Sequence, residues 1–332
     1  MKIYKILPGL LVLSLFACSK KETKTLETTE ADQSQEMVMP KTYAEIAAKE
    51  GGQWNGRKYE GGTFKNVDSL WLSPHHTDHS FDIRYEGPGW ESDKVGYRLY
   101  LDWRNAIDIF GKKVDTLVLS QVGLDGFDSY HEMSGWGADI LKVGKGLGIG
   151  SIGRYLNDTV AHFNQVDSTF AKVENSDKAS SVVIDYYGWK TGDDKIDFSS
   201  ILTIKPNDRY TKNTIQSSEA ISGICTGIVK HNDLPLIQKE SENKKWGYIA
   251  TYGVQTLIPD KLGMAIFYPM DETESLVDGE FDHLIVFKPT TEPISFYFLG
   301  AWEQEKDGIK TQEEFVKYLN EKLSELNSNN TL

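Results

Sequence analysis

Arginine is scarce in this chain, and its distribution is uneven. The sequence holds 6 arginines against 30 lysines, and Arg84, Arg98 and Arg104 fall within a stretch of 21 residues. A planar guanidinium group can bind a carboxylate or a sulfate through two parallel hydrogen bonds, which lysine cannot do. In an extended strand Arg98, Tyr100 and Asp102 share one face, which Arg104 joins if the strand continues. This face predicts a positively charged pocket for an anionic ligand; the alternative is a solvated face with surface ion pairs.

Histidine is also concentrated next to these arginines. Three of the seven histidines lie in the run PHHTDH at 74–79. One interpretation is a metal site in which His76, His79 and either Asp78 or Asp82 are the ligands. The others are a set of general acids and bases, a task to which imidazole is suited, and a polar loop at the entry to a strand. The HxxH spacing alone does not identify a metal site, so we assign no metal ligands; the residues allow a divalent cation without requiring one.

Tryptophans and one further histidine accompany the charged stretch. His131 lies between two glycine-rich segments, a loop context in which functional residues concentrate. Aromatic rings stack on the C–H faces of sugars while charged side chains fix the polar groups, so this mixture favours a carbohydrate site. The predicted substrate-binding residues are Arg84, Arg104, Asp102, Trp90, Trp136 and His76.

Composition and charge exclude several classes of protein. The chain has 332 residues and a formal net charge of −13, and so acidic a surface repels phosphate backbones, so we expect no nucleic-acid binding. Two cysteines are too few for a disulfide framework or a cysteine-rich zinc module. The run Gly148–Gly153 fits the GxGxxG pattern, but no strand–helix unit surrounds it, which argues against a dinucleotide site.

The dominant pattern from about residue 50 onwards is the alternation of apolar and polar side chains. Val95, Tyr97, Leu99 and Leu101 share one face of a predicted strand. Strands do not alternate regularly with helices, so a parallel α/β sheet is not expected. We predict an all-β fold, a large antiparallel β-sandwich of the supersandwich type with a C-terminal α-helix. The other predicted strands are Phe81–Glu86, Thr116–Val122, Val182–Tyr187, Ile201–Ile204, Tyr248–Val254, Met264–Tyr268, His283–Phe287 and Ile294–Ala301.

Few segments have a helical pattern. The clearest is 311–326, where Thr311 and Glu314 form a capping box before an apolar stripe. Weaker helical patterns cover 42–49 and 134–143, and glycines reduce the helix propensity of the second.

The N-terminus has the pattern of a targeting segment. Two lysines precede a short apolar run that ends in Leu-Phe-Ala before Cys18, which is typical of a bacterial lipoprotein signal. We predict a signal peptide over 1–17 and lipidation of Cys18; cleavage near this point without lipidation is the alternative. Residues 18–45 are polar and aperiodic, which predicts a flexible tether. A single β-rich catalytic domain is predicted over 46–332.

Three segments of the charged stretch resemble a known family. They are YEGPGWESDKVGYR at 85–98, DWRNAIDIFGK at 102–112 and YHEMSGWGADILKVG at 130–144. They look like the hallmark segments of a lipoprotein family described as a domain of unknown function. This family occurs in polysaccharide-degradation loci of Gram-negative bacteria and includes an ulvan oligosaccharide dehydratase. The resemblance covers most of 50–325, and it implies a lipid-anchored monomer at the outer membrane, on its periplasmic or cell-surface side.

The resemblance also implies a reaction. A hydro-lyase of this kind removes water from the non-reducing-end glucuronate or iduronate of an ulvan-type oligosaccharide. The 4,5-unsaturated uronate that forms is the substrate of a downstream unsaturated-uronyl hydrolase. The reaction needs a cation at the carboxylate, a base for the proton on carbon 5 and an acid for the leaving hydroxyl. We assign the cation to Arg98, with Arg104 as the alternative, the base to His79 or His131, and the acid to Tyr100.

Two other classes remain open. A polysaccharide lyase uses the same chemistry with a sugar as the leaving group, whereas a glycoside hydrolase needs a pair of carboxyl groups. Glu86, Glu91, Asp93 and Asp102 could supply that pair. A surface glycan-binding lipoprotein would use the tryptophans and arginines for binding alone.

Overall fold

The computed structural model describes residues 40–126 and 129–332; the predicted signal peptide and Cys18 lie outside these ranges. Strand β1 begins at Thr42, four residues before the predicted start of the domain. The first ten strands are β1 (Thr42–Asn55), β2 (Lys58–Val67), β3 (Ser69–Trp71), β4 (Gly89–Ser92), β5 (Val95–Leu99), β6 (Ile107–Lys112), β7 (Gly137–Asp139), β8 (Ile149–Leu156), β9 (Thr159–Ala161) and β10 (Ser168–Asn175). They are followed by β11 (Ser180–Thr191), β12 (Asp194–Ile204), β13 (Tyr210–Ser217), β14 (Ile224–Val229), β15 (Ile237–Glu240), β16 (Trp246–Val254), β17 (Lys261–Pro269), β18 (Thr273–Asp278), β19 (Asp282–Phe287), β20 (Ile294–Trp302) and helix α1 (Gln312–Asn329).

These strands form three sheets, and all of their pairings are antiparallel. The largest has nine strands in the order β15-β16-β17-β20-β13-β12-β11-β10-β3. A six-stranded sheet has the order β2-β1-β4-β5-β6-β7, and a five-stranded sheet has the order β18-β19-β14-β8-β9. The predicted antiparallel sandwich is confirmed.

The main core lies between the nine-stranded sheet and the two smaller ones. Tyr97 of β5 packs edge-on against Phe298 of β20, with ring centroids 5.4 Å apart. Gly150 of β8 contacts the same phenylalanine so closely that a Cβ atom would lie 2.2 Å from its ring. Strands β5 and β6 of the six-stranded sheet are buried on both faces, because the large sheet covers one face and loop residues such as Leu119 and Tyr130 pack on Phe110 of the other.

Helix α1 covers part of the opposite face of the nine-stranded sheet. Its apolar stripe, which includes Phe315 and Leu319, packs on Tyr248 and Phe267 of β16 and β17. The predicted capping box of Thr311 is present at its N-terminus. In the described ranges no helix is long and apolar enough to span a membrane.

Most of the predicted strands are confirmed, and two are wrong. Residues 84–86 form a 3-10 turn, in a segment where Phe81, Tyr85 and Glu86 have positive φ angles that no strand accommodates. A second 3-10 turn lies at Leu119–Gln121 within the other predicted strand. There the Glu91 carboxylate accepts hydrogen bonds from two backbone N–H groups, in place of a strand partner.

Both weaker helix predictions are also wrong. Residues 42–49 belong to β1, which pairs with β2 on one side and β4 on the other, so tertiary pairing overrides local propensity. Within 134–143, residues Gly137–Asp139 form strand β7, and Gly137 has a φ of +135°. A Cβ atom there would lie 1.8 Å from the carbonyl oxygen of Gly111, so the close approach to β6 requires glycine.

Candidate active site

Three neighbouring strands bring an arginine and two aspartates together in the interior. Arg98 of β5 lies directly opposite Asp108 of β6, and β7 ends at Asp139. The Arg98 Nη2 donates to Asp108 Oδ2 at 2.9 Å and to Asp139 Oδ2 at 2.6 Å. Its side chain is only 2% exposed. A charge buried to this extent is tolerated because it is paired and hydrogen-bonded.

Two phenols complete the surroundings of Arg98. Its Nη2 donates to the Tyr100 oxygen at 2.9 Å, and its Nη1 donates to the Tyr130 oxygen at 3.0 Å. Tyr100 in turn donates its proton to Asp108 Oδ2 at 2.7 Å. Burial raises the pKa of Tyr100 well above its ordinary value, and the charge of Asp108 adds to this effect while Arg98 opposes it. Tyr100 is therefore a neutral phenol whose proton is held by a buried carboxylate.

His131 lies where this buried group approaches the surface. Its Nε2 is 3.4 Å from Asp139 Oδ2, and its ring lies 4.4 Å from that of Tyr130. Burial, together with the neighbouring charge of Asp108, raises the pKa of Asp139 well above its ordinary value. The half-buried His131 imidazole therefore contacts a carboxyl group whose raised pKa favours its protonated form.

Arg104 follows the end of β5 on a tight turn. The Asp102 carboxylate accepts a hydrogen bond from the backbone N–H of Arg104 at 2.9 Å, and Asn105 has a positive φ. The chain thus reverses direction instead of continuing the strand. The Arg104 guanidinium stacks on the ring of Tyr100, with its Cζ 4.0 Å from the centroid. Both arginines therefore contact Tyr100, as the sequence predicts, but a turn and not a continued strand brings Arg104 to it.

Three carboxylates surround the Arg104 guanidinium. Its Nη2 lies 3.0 Å from Asp78 Oδ1 and 3.1 Å from Glu86 Oε1, and it also bonds Asp102. His79 lies beside them, with its Nδ1 hydrogen-bonded to Asp78 and 3.8 Å from Glu86 Oε1. A second histidine is therefore positioned by carboxylates in the same place as the arginine.

The backbone that presents His79 is strained. His79, Phe81, Tyr85 and Glu86 all have φ between 41° and 69°, a region that side chains other than glycine, asparagine and aspartate rarely adopt. Such conformations cost free energy and persist where the surrounding contacts impose them, often at functional sites. The backbone N–H of His79 donates to Glu86 Oε1 at 3.1 Å, which is one of these contacts.

We call this group of contacting side chains the polar cluster. Its two arginines are outnumbered by carboxyl groups even when Asp139 is protonated, because four carboxylates then face two guanidinium groups. The predicted positively charged pocket is therefore wrong. Its members are Asp78, His79, Glu86, Arg98, Tyr100, Asp102, Arg104, Asp108, Tyr130, His131 and Asp139.

A cleft of about 680 Å³ adjoins the polar cluster at Asp102. Trp103 is exposed at its rim, and Phe163 and Tyr186 contribute apolar wall. His76 also lines the cleft, and its Nδ1 is 2.8 Å from Asp82 Oδ1. The volume and the mixture of aromatic and polar walls suit a sugar of one or two rings.

Part of the polar cluster also has the composition of a metal site. Within residues 40–126 and 129–332, one group of side chains, Asp78, His79 and Glu86, offers ligand atoms that all lie within 4.8 Å of one another. Nitrogen and carboxylate oxygen ligands suit several divalent cations. The guanidinium of Arg104 already pairs with two of these carboxylates and offsets part of their charge, so the geometry allows a cation without requiring one.

A family model described as "Domain of unknown function (DUF4861)" matches residues 8–331, which is nearly the whole chain. The chain belongs to this family. No curated protein matches it.

Similar solved structures include two carbohydrate-related proteins. A candidate aldose 1-epimerase from Klebsiella pneumoniae is 8% identical with a TM-score of 0.34, over 74% of this chain and 84% of that one. A 4-alpha-glucanotransferase from Thermococcus litoralis is 12% identical with a TM-score of 0.31, over 68% of this chain and 40% of that one. Both TM-scores are low, so neither structure contributes an argument about this DUF4861 chain.

Two of the predicted substrate-binding residues of this DUF4861 chain have no surface to offer a ligand. Trp90 is completely buried, where it stacks on Tyr97 and donates its indole N–H to Thr211 at 2.9 Å. Arg84 is buried in an ion pair with Glu45. Both predictions are therefore wrong. Trp90 points into the sandwich core, and Arg84 is held by the Glu45 carboxylate of β1.

The remaining predicted residues are divided between two places. Arg98, Tyr100, Arg104, His79 and His131 lie in the polar cluster, together with Asp102. His76 lines the neighbouring cleft, whereas Trp136 is half-buried and packs edge-on against Phe110 at 6.0 Å. Neither Arg98 nor Tyr100 lines the cleft.

The sequence analysis missed the acidic partners of Arg98. Asp108 and Asp139 each stand alone in an apolar run, IDIF and ADIL, of a strand that is buried on both faces. A lone carboxyl in such a run needs a buried cationic partner, and this signal could have identified them. Tyr130 was missed because it precedes a loop and has no periodic context.

Proposed function

We propose that this chain is a carbohydrate-active hydro-lyase that removes water from the non-reducing-end uronate of an oligosaccharide. The observation that supports it most is the pair of partly exposed histidines in one cluster with an arginine, each held by carboxyl groups. His79 is positioned by Asp78 and Glu86, and His131 by Asp139. A carboxyl partner fixes the tautomer and orientation of an imidazole, which is the arrangement of a general acid or base.

The proposed reaction uses one histidine for each proton. One imidazole takes the proton from carbon 5, and the electron pair of that C–H bond forms the double bond to carbon 4. The bond from carbon 4 to its hydroxyl oxygen breaks, and the second imidazole gives a proton to the leaving oxygen, so that water departs. The guanidinium of Arg104 offsets the negative charge that develops on the uronate carboxylate.

The charge balance of the polar cluster determines how an anionic sugar could bind. The uronate carboxylate must replace one of the carboxylates at Arg104, and Asp78 is the easiest to displace because it is 32% exposed whereas Glu86 and Asp102 are buried. The displaced Asp78 remains bonded to His79, so binding of the substrate brings its carbon 5 next to that imidazole. A divalent cation held by Asp78, His79 and Glu86 would offset the same charge.

Arg98 and Tyr100 act in this proposal as positioning residues. Arg98 orders Asp108, Asp139 and Tyr130, and Tyr100 provides the surface on which Arg104 stacks. Neither touches the substrate. The proton of Tyr100 is committed to Asp108, so the acid is one of the two histidines.

A single experiment separates this reaction from the other classes. Oligosaccharides that end in glucuronate are incubated with the protein and analysed by mass spectrometry and by absorbance of the new double bond, with and without added Ca²⁺, Mg²⁺ or Mn²⁺. A dehydratase produces a product lighter by one water with no chain shortening. Shortened chains with the absorbance indicate a lyase, and shortened chains without it indicate a hydrolase. Binding with no product under any condition indicates a glycan-binding protein.

A hydrolase is less well supported by the geometry. Glu91 is paired with Lys112 at 2.7 Å, and Asp93 accepts a backbone hydrogen bond from Asn207 at 2.6 Å. Both are buried structural groups. Glu86 and Asp102 are both buried and both bond the Arg104 guanidinium, so neither is free to face a glycosidic bond.

Substitution of Arg104 tests the carboxylate contact. Arg104→Lys keeps the charge but loses the planar fork and the stacking on Tyr100, so we expect kcat/KM to fall about 10- to 100-fold. Asp78→Asn removes the competing carboxylate and is expected to lower KM for the same substrate. Steady-state kinetics with an oligosaccharide ending in glucuronate measures both. Wild-type kinetics in Arg104→Lys would place the carboxylate elsewhere.

The anchor forms part of the same proposal. The apolar N-terminal run and Cys18 indicate a lipoprotein at the outer membrane. Cys18→Ala is expected to move the protein from the membrane fraction to the soluble fraction, measured by fractionation of cells that express the full chain. If the variant stays with the membrane, lipidation at Cys18 is not the anchor.

A further inference from the structure

Three aromatic side chains meet on the outer face of the nine-stranded sheet. Trp71 of β3 lies 5.1 Å from Phe170 of β10 and 5.6 Å from Tyr187 of β11, measured between ring centroids. Trp71 is 61% exposed and Tyr187 is 38% exposed. We call these three rings the aromatic platform. Because so much apolar surface at one place is unfavourable in water, it indicates a surface that contacts something.

The strand register explains why the rings lie together. Trp71 is the register partner of Phe170, so both side chains point to the same face of the sheet. Tyr187 is the register partner of Ser168, two residues along β10 from Phe170. Helix α1 packs on this outer face towards the other end of the sheet, mainly on β16 and β17.

The aromatic platform and the cleft beside the polar cluster share one edge of the nine-stranded sheet. Leu72, Thr169 and Tyr186 line the cleft, and each is the chain neighbour of one platform residue, so the cleft lies towards the inner face and the platform on the outer face. Ser168 links the two, because it lines the cleft and lies directly opposite Tyr187 in the strand register. Because β3 is a short strand at the edge of the sheet, an extended ligand can pass around that edge from the cleft to the platform.

The chemistry of the platform favours a sugar over a purely apolar partner. The ring of Trp71 is tilted by 50° to Phe170 and by 32° to Tyr187, and both Trp71 and Tyr187 keep exposed surface on which the C–H face of a sugar can lie. Asp185 lies opposite Phe170 in the register, and Ser168 opposite Tyr187, so acceptors for hydroxyl groups flank the rings. Aromatic faces bordered by polar groups are typical of saccharide sites.

We infer that the aromatic platform is a second saccharide-binding site, which holds sugar rings of the oligosaccharide beyond those in the cleft. This inference takes the class of ligand from the proposed function. It adds that binding depends on chain length, because the first rings occupy the cleft and only a longer chain reaches Trp71.

Calorimetry of oligosaccharide binding tests the platform without relying on turnover. The probes are glucuronate-ended oligosaccharides of two and of six sugar units, and the variants are Trp71→Ala, Trp71→Phe and, as a matched control on the same outer face, Ile201→Ala. We expect Trp71→Ala to weaken binding of the hexasaccharide about 10-fold and to leave the disaccharide unchanged. Trp71→Phe is expected to restore most of the affinity, and Ile201→Ala to behave as the wild type.

The outcomes separate this inference from the proposed reaction. If hexasaccharide binding depends on Trp71 and no unsaturated product forms, the platform stands and the reaction fails. If the unsaturated product forms and Trp71→Ala binds both probes as the wild type does, the reaction stands and the platform fails. Failure of the wild type to bind either probe also overturns the platform. Light scattering tests whether a second copy of the chain occupies this face instead of a saccharide. A wild-type dimer that Trp71→Ala converts to a monomer would make the platform a contact between two copies and would overturn the inference.

Discussion

Replacing either histidine of the polar cluster with alanine is expected to lower turnover by roughly 100- to 10,000-fold, the usual contribution of a general acid or base. His131 and His79 are the imidazoles that are both held by carboxyl groups and partly exposed, so each can exchange protons with a bound sugar. Substrate binding is expected to change by only a few-fold, because the carboxylate contact is made by Arg104. Single-turnover kinetics and calorimetry together separate the two effects.

Deuterium exchange distinguishes the roles of the two histidines. In heavy water the variant that lacks the base is expected to lose exchange at carbon 5, whereas the variant that lacks the acid retains it. His75→Ala is the matched control, because His75 is exposed in the same loop and packs beside Trp54, outside the polar cluster. Wild-type turnover in both His79→Ala and His131→Ala would remove the reaction from this cluster.

The strands could be predicted wherever an alternating or continuous apolar run is reinforced by long-range pairing. The runs in β11 and β12 alternate between buried and more exposed side chains, whereas those in β16, β17, β19 and β20 are buried almost throughout, and each of these strands pairs with strands on both sides. Residues 81–86 alternate just as well, yet they form a turn. There Arg84 pairs with Glu45 and Glu86 pairs with Arg104, and both partners are distant in the sequence, so the backbone follows contacts that the local pattern does not contain. A local pattern contains no information about such partners.

The candidate site could likewise be predicted only in part, because a local pattern does not reveal which residues cover it. The stretch between 76 and 131 in which arginine and histidine are concentrated contains residues that the structure brings together, Arg98, Arg104, His79 and His131, whereas Arg84 and His76 lie outside the polar cluster. Their exposure could not be predicted, because an arginine on the polar face of a strand faces solvent only if that face is not covered. Here the Asp108 and Asp139 carboxyls cover it, and Arg98 is interior. The arginine that the proposed function assigns to the substrate carboxylate is therefore the partly buried Arg104, which lies on a turn.

Substitution of the buried arginine is expected to cost more stability than any surface change. Arg98→Met leaves Asp108 and Asp139 in the interior without a cation, and breaking a buried pair in this way costs about 3–5 kcal/mol. Lys172→Met is the matched control, since its ion pair with Glu174 is exposed at both ends and contributes less than about 1 kcal/mol. Urea unfolding followed by circular dichroism measures the free energy of unfolding of both variants.

A compensating variant shows whether unpaired buried charge causes the loss of stability expected for Arg98→Met. Arg98→Met combined with Asp108→Asn and Asp139→Asn removes the two carboxyls together with the cation, so no unpaired charge remains in the interior. We expect this triple variant to regain a large part of the lost stability, because amides are far less costly to bury than carboxylates. If it is as unstable as Arg98→Met alone, the loss arises from packing against Tyr100 and Tyr130 and not from the charges. Because Arg98 is a positioning residue in the proposed reaction, the stabilised triple variant should fold yet turn over poorly, since His131 has lost the carboxyl that orients it.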